Sequence, residues 1–203
     1  MVRLIIIGLL LPTLSLAQAS NIGNAESADN PVTLSTKPVL FSSAEGDFRI
    51  TFPSGCGKTV TRVPADEAPD VDGQPGIRVT FTFCDRNQEK GEGCSVTSYF
   101  NVMGADGGYP GADQVIERMT LLLKSMNLAI REQSPLSKKL PDGTTIEGLD
   151  LLAAEPSGVG QAWLRGLLYE GDIYILSAWK NTGKLWDDSD YITFFNSFQP
   201  GAE

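Results

Sequence analysis

Apolar and polar residues alternate with a period of two through much of the first half of the chain. Phe48, Ile50 and Phe52 are separated by Arg49 and Thr51, and Pro53-Ser54-Gly55 breaks the run. Thr59 to Val63 reads as a short second strand stopped by Pro64. Ile77, Val79, Phe81 and Phe83 alternate with Arg78, Thr80 and Thr82, and Cys94, Val96, Ser98, Phe100 and Val102 line one side of a further strand. The period then changes. Val115, Ile116, Met119, Leu122, Leu123 and Met126 recur at spacings of three and four, which predicts an amphipathic helix over 112–126. Asp113 and Glu117 near its start and Lys124 in its last turn suit the helix dipole.

Leu128 to Ser134 is ambiguous. Beyond it, Thr144 to Ala154, Gly160 to Tyr169 and Asp172 to Trp179 read as strands, the last two joined by Glu170-Gly171 as a tight hairpin. Asp187-Asp188-Ser189-Asp190 offers caps for a C-terminal helix carrying Ile192, Phe195 and Phe198. The order ββββαββββα predicts an α+β domain, a mostly antiparallel sheet with helices packed on it, over 38–199.

The start of the chain has a different character. Arg3 precedes an apolar run from Leu4 to Leu11, and Ala17-Gln18-Ala19 and Ser15-Leu16-Ala17 both match a small-x-small cleavage site. The run is shorter than the ~20 residues a membrane-spanning helix needs. Residues 1–19 therefore read as a secretory signal, and 20–37, rich in Asn, Ser and Ala, as a flexible leader. The expected location is the periplasm or the extracellular medium, with no membrane span. The net charge of −9 opposes binding to a phosphate backbone, so nucleic acid is not an expected partner.

The chain contains no histidine. Ser-His-Asp and Cys-His nucleophile systems are thereby excluded, as are His-ligated zinc and copper sites. No catalytic, cofactor-binding or metal-binding residue stands out, and no cofactor is expected. Ser54-Gly55-Cys56-Gly57-Lys58-Thr59 imitates a phosphate-binding loop, but Phe52 stands where its first glycine belongs. The β-branched run after Lys58 also opposes the helix whose N-terminus would meet the phosphate. A turn between strands is the expected structure, with no bound nucleotide. Asp66, Glu67, Asp70 and Asp72 share a loop that lacks calcium-loop spacing and reads as solvated.

Cys56, Cys84 and Cys94 are the distinctive set. Antiparallel pairing of the strands that carry them would bring all three to one edge of the sheet. An exported chain favours a disulfide, and three cysteines leave one over, so one bond and one free thiol are expected, with the pairing open. Trp163, Tyr174, Trp179 and Trp186 lie in the second half, as packing residues or as the lining of a ligand groove.

Two stretches carry a resemblance. Asp47-Phe48-Arg49-Ile50-Thr51-Phe52-Pro53 resembles the opening strand of small exported bacterial proteins of unknown function, and Phe194-Phe195-Asn196-Ser197-Phe198 resembles their closing helix. Arg165, Tyr169, Gly171, Tyr174 and Leu176 resemble the hairpin before that helix. These proteins are similar in layout to the PsbP-like fold, an antiparallel sheet between helices. The resemblance covers most of 46–199 and transfers no catalytic residue. It implies a non-enzymatic binding or assembly factor, with a protein or small molecule as partner. The alternative is an enzyme that uses carboxylate, lysine or cysteine chemistry without histidine.

The signal reading makes a direct prediction. Intact-mass analysis of protein recovered from the exported fraction should find Gln18 or Ser20 at the N-terminus, and full-length protein in the membrane fraction would contradict it.

Overall fold

Strand β1 (Val39–Ser43) opens the first of two sheets in the computed structural model. The structure describes residues 35–63, 77–87, 90–102, 107–181 and 183–201, with the backbone alone for 57–63. The expected signal, most of the leader and the loop carrying Asp66, Glu67, Asp70 and Asp72 lie outside these residues. All the described residues belong to one compact unit.

β1 pairs antiparallel with β2 (Phe48–Phe52), which also pairs with a two-residue strand near the C-terminus, β10 (Gln199–Pro200). The main sheet holds β3 (Gly57–Val63), β4 (Arg78–Asn87), β5 (Glu92–Phe100), β6 (Ala129–Lys139), β7 (Thr145–Ala154), β8 (Gln161–Tyr169) and β9 (Asp172–Lys180). Its order is β3-β4-β5-β9-β8-β7-β6, and every neighbouring pair is antiparallel. Helix α1 (Ala112–Ser125) connects β5 to β6. A single 3₁₀ turn (Leu185–Asp187) leads into α2 (Ser189–Ser197). The predicted class, α+β with a mostly antiparallel sheet, is the class observed.

The period of two decides how the sheet is covered, because alternate side chains go to opposite faces. On one face Leu151, Leu164, Ile173 and Ile175 pack with Val115, Met119 and Leu123 of α1. On the other, Val96, Leu167, Tyr174 and Leu176 pack with Phe48, Ile50 and Phe52 of β2 and Tyr191, Phe194 and Phe195 of α2. Gly166 allows α1 to come close, since a Cβ there would collide with Val115 and Met119. The aromatic residues continue across the second layer. Phe52 meets Phe194 with ring centroids 5.5 Å apart, and Trp163 stacks on Phe195 at 4.2 Å.

Several expectations need correction. β1 has no counterpart in the periodicity reading, because Val39, Leu40 and Phe41 are consecutive apolar residues and Leu40 points to solvent. Leu128 to Ser134 falls mostly within β6, a long edge strand whose residues are largely exposed, so no apolar alternation marks it. The C-terminal helix buries Tyr191, Phe194 and Phe195, while Ile192 is partly exposed. Phe198 lies just past the helix in an extended conformation and is still fully buried, against Phe48 and Tyr174. On α1, Ile116 likewise turns outward.

Charges hold the C-terminal end of α2. Arg165 is buried, and its Nε and Nη2 each donate to a different carboxylate oxygen of Asp150 at 2.8 Å. Its Nη1 donates to the Phe195 carbonyl at 3.0 Å and to Asn196 Oδ1 at 3.3 Å. Lys138 Nζ donates to the carbonyls of Asn196 and Phe198. Two cations thus meet the carbonyls that a helix end leaves without intrahelical donors, where the dipole favours positive charge. Burial, with repulsion from Arg165, lowers the Lys138 pKa to about 8.

Replacing Arg165 with Ala leaves Asp150 without its bidentate partner and should cost about 3–5 kcal/mol, measured by urea unfolding. Lysine at 165 should not restore this, because it lacks the planar fork. The depressed Lys138 gives a separate pH signature. Between about pH 8 and the unfolded lysine value near ~10.4, the unfolded chain binds the extra proton, so stability from this group rises with pH. Lys138→Met should flatten that rise.

Candidate functional site

The end of the main sheet where β4 turns into β5 and where β9 stops gathers most of the chemistry in the described residues. Arg86 on β4 and Lys180 on β9 reach the N-terminal end of α2. Arg86 Nη1 donates to Asp188 Oδ2 at 3.2 Å, and Nη2 donates to Asp190 Oδ2 at 3.0 Å. Lys180 Nζ donates to the same Asp188 oxygen at 3.1 Å. Ser54 Oγ, in the turn after β2, donates to Asp190 Oδ2 at 2.7 Å. Asp188 is also the N-cap of α2, its Oδ1 accepting from the Asp190 amide. The cap residues foreseen in the sequence therefore bear on more than the helix: they tie it to two strands and a turn.

The electrostatics follow from this geometry. Burial alone would raise the Asp188 pKa. The hydrogen bond from Lys180, the Arg86 guanidinium and the Asp190 amide outweigh it, and the pKa is lowered. The group is held as a carboxylate. Above the array lies a cavity of about 350 Å³ lined by Ser35, Thr36, Ser54, Gly55, Arg86, Asn87, Glu92, Lys180 and Asp188. Beneath Arg86, 5.3 Å from its guanidinium carbon, lies the ring of Tyr191. Tyr191 is fully buried, and its hydroxyl has no well-formed hydrogen bond among the described residues.

The three cysteines meet under the same end of the sheet. Cys56 and Cys84 form a disulfide with their Cα atoms 5.2 Å apart. Cys94 is free and buried, directly opposite Cys84 in the β4–β5 register. The three sulfurs lie within 4.8 Å of one another. Burial pushes the Cys94 pKa well up, against the opposing pull of Arg86, so the thiol is protonated and a poor nucleophile at neutral pH. The disulfide joins residues 28 apart in sequence, a closure worth about 3–4 kcal/mol through the unfolded state. It pins the turn that carries Ser54 to the strand that carries Arg86.

The phosphate-loop lookalike occupies this end too. Gly57 to Val63 runs as strand β3, with Gly57 opposite Asp85 and Lys58 opposite Cys84. Its backbone N–H groups alternate in direction as ladder geometry requires, rather than converging on one point. Gly55 has a φ of 81°, the left-handed turn conformation that favours glycine.

The four candidate groove aromatics do not share a lining. Trp163 and the fully buried Tyr174 are on the α2 face of the sheet. Trp179 is on the α1 face, its indole lying over Gly93 where a Cβ would collide. Trp186 sits in the 3₁₀ turn and is partly exposed. At the opposite end of the sheet, two further clefts of about 390 and 580 Å³ are bordered by Tyr109, Glu170 and Asp172, and by Asp47, Asp142 and Tyr169. Sequence reasoning missed the Arg86–Asp188–Asp190–Lys180 array. Its only local signal was the run of acids before α2, and the cations that complete it come from distant strands.

No known family model matches the chain, and no curated protein matches it. Among solved structures it is similar to the solution structure of cyanobacterial PsbP (CyanoP) from Synechocystis sp. PCC 6803, with 13% identity over 88% of this chain and 98% of that one, and a TM-score of 0.48. At that depth the likeness carries no argument about site or activity. The α+β class rests on the strand and helix order of the chain itself.

The array makes a prediction. Asp188→Ala removes a helix cap and leaves two cations without their shared carboxylate, so thermal or urea unfolding should report a loss of about 2–3 kcal/mol. In the parent, the pKa of Asp188 is depressed on folding. Its contribution is therefore complete above the unfolded value near ~3.9 and is lost as pH falls through the folded value. The variant should lose less stability than the parent on acidification below about pH 4.

Proposed function

We propose that this protein is exported and acts as a non-enzymatic binding or assembly factor, recognising its partner through the charged cavity at the sulfur end of the sheet. The observation that carries this reading is the array in which Arg86, Asp188 and Lys180 border the cavity and Asp190 pairs with Arg86 behind them. Their mutual hydrogen bonds hold these groups in position, and the pairing keeps Asp188 a carboxylate. Preorganised charges of this kind favour recognition of complementary charge and orientation. Asp188, lowered, and Arg86, raised, are both moved away from the neutral range that proton transfer calls for. The helix cap and the disulfide add rigidity, which lowers the ordering cost of binding. The disulfide also supports the exported reading, since oxidising compartments preserve such bonds. Among the described residues, no helix is long and apolar enough to cross a membrane.

The partner expected is a protein segment that carries both acidic and basic side chains, to match the Arg86, Lys180, Glu92 and Asp188 side chains of the lining. A photo-crosslinking residue introduced at Asn87, on the cavity wall, should give one discrete adduct in cells. The same residue at Leu121, on the outer side of α1, should not. Equal labelling from both positions, or no adduct from Asn87, would overturn the assignment of this cavity.

A further inference from the structure

The sulfur cluster contains more than one structural disulfide requires. Cys84 has two potential partners: it is bonded to Cys56, and Cys94 stands opposite it on the neighbouring strand. Directly opposed residues of an antiparallel pair have Cα atoms about 4.5–5.5 Å apart, within the span a disulfide bridges. All three sulfurs already lie within 4.8 Å of one another, so the alternative bond needs side-chain rotation rather than a rearranged sheet. The three positions also differ in access. Cys84 and Cys94 are fully buried, while Cys56 retains slight exposure and directly follows Ser54 and Gly55 of the cavity wall.

We propose that Cys56, Cys84 and Cys94 form a two-position disulfide switch, in which transfer of the Cys84 bond from Cys56 to Cys94 frees Cys56 as a modifiable thiol beside the charged cavity. The step is an internal exchange. Burial keeps the Cys94 thiolate scarce at neutral pH, so the exchange is slow and quickens as pH rises; once deprotonated, Cys94 attacks the sulfur of Cys84, and the Cys84–Cys94 bond forms as the Cys56–Cys84 bond breaks. The electron pair leaves on the Cys56 sulfur, which takes up the proton that Cys94 gave up. Nothing is oxidised or reduced overall, so no external oxidant or reductant is needed. The freed Cys56 can then be capped by alkylation, or by exchange with a low-molecular-weight disulfide.

Chain connectivity gives both bonds a place in the life of the protein. In the unfolded chain, closing the shorter Cys84–Cys94 loop is favoured about fivefold over closing Cys56–Cys84, from the three-halves power of loop length. In the folded chain the bond sits at Cys56. Folding therefore selects against the bond that chain statistics favour, and the third cysteine is positioned to carry the exchange between them. This inference is independent of the binding reading above.

The test maps where a thiol label enters the folded protein. Protein isolated with its disulfide intact is incubated with a maleimide under native conditions, quenched in acid, digested and analysed by mass spectrometry. The switch predicts that labelled molecules carry the label on Cys56 and a Cys84–Cys94 bond, and that Cys94→Ser takes no label. Label on Cys94 with the Cys56–Cys84 bond intact would overturn it. So would no label on the native protein after prolonged incubation at an alkaline pH at which it stays folded, where the Cys94 thiolate is no longer scarce. A second measurement uses Cys56→Ser isolated from an oxidising compartment, where a Cys84–Cys94 bond supports the switch and two free thiols contradict it.

Discussion

A nine-residue helix pinned at both ends by charge organises one whole face of this protein. Alone in water, α2 is too short to persist, since isolated helices below ~12–15 residues are marginal. Here its first turn is fastened by Asp188 and Asp190 to Arg86 and Lys180, and its last carbonyls by Arg165 and Lys138. Acids lie at the positive end of the helix dipole and cations at the negative end. The aromatic layer of Phe52, Phe194, Phe195 and Trp163 packs beneath a helix tied at both ends.

The same pinning creates the candidate site. Asp188 caps α2 and also borders the cavity, so a residue that stabilises the helix also lines the cavity wall. Helix stability and the shape of the cavity are coupled at this end of the sheet. A change that weakens the Arg86 pairs loosens the helix as well as altering the cavity. The disulfide reinforces the coupling by tying the Ser54 turn to the Arg86 strand, and the third sulfur beneath it gives the bond an alternative partner.

The two faces of the main sheet are covered by different means. On one, α1 presses a regular apolar stripe against the Leu and Ile side chains of the sheet, with Gly166 allowing its close approach. On the other, a small sheet and a short helix share the cover, and buried ionic contacts make up for the limited area that each offers. Arg165 illustrates the trade: a guanidinium paired with Asp150, the Phe195 carbonyl and the Asn196 side chain is tolerated in an aromatic layer because most of its donors are engaged. Polar chemistry accordingly concentrates on the α2 face and at its ends.

Much of the architecture was legible in the amino-acid sequence alone. Alternation marked β2, β4 and β5, Glu170-Gly171 marked the β8–β9 hairpin, and a switch to helical period marked α1. These are local properties, carried by side-chain period and turn residues within a few positions of one another. The meeting of the three cysteines was legible too, because antiparallel pairing of adjacent strands follows from their connections. The tertiary structure alone decided which face of α2 is buried, that β1 and β10 flank β2, and which cysteine Cys84 bonds. It alone assembled the charged array, whose Arg86 stands 102 and 104 residues from Asp188 and Asp190. Contacts over such separations leave no period in the sequence. They arise only once both layers are packed and the buried charges must find partners, because a polar group without one is costly in a core.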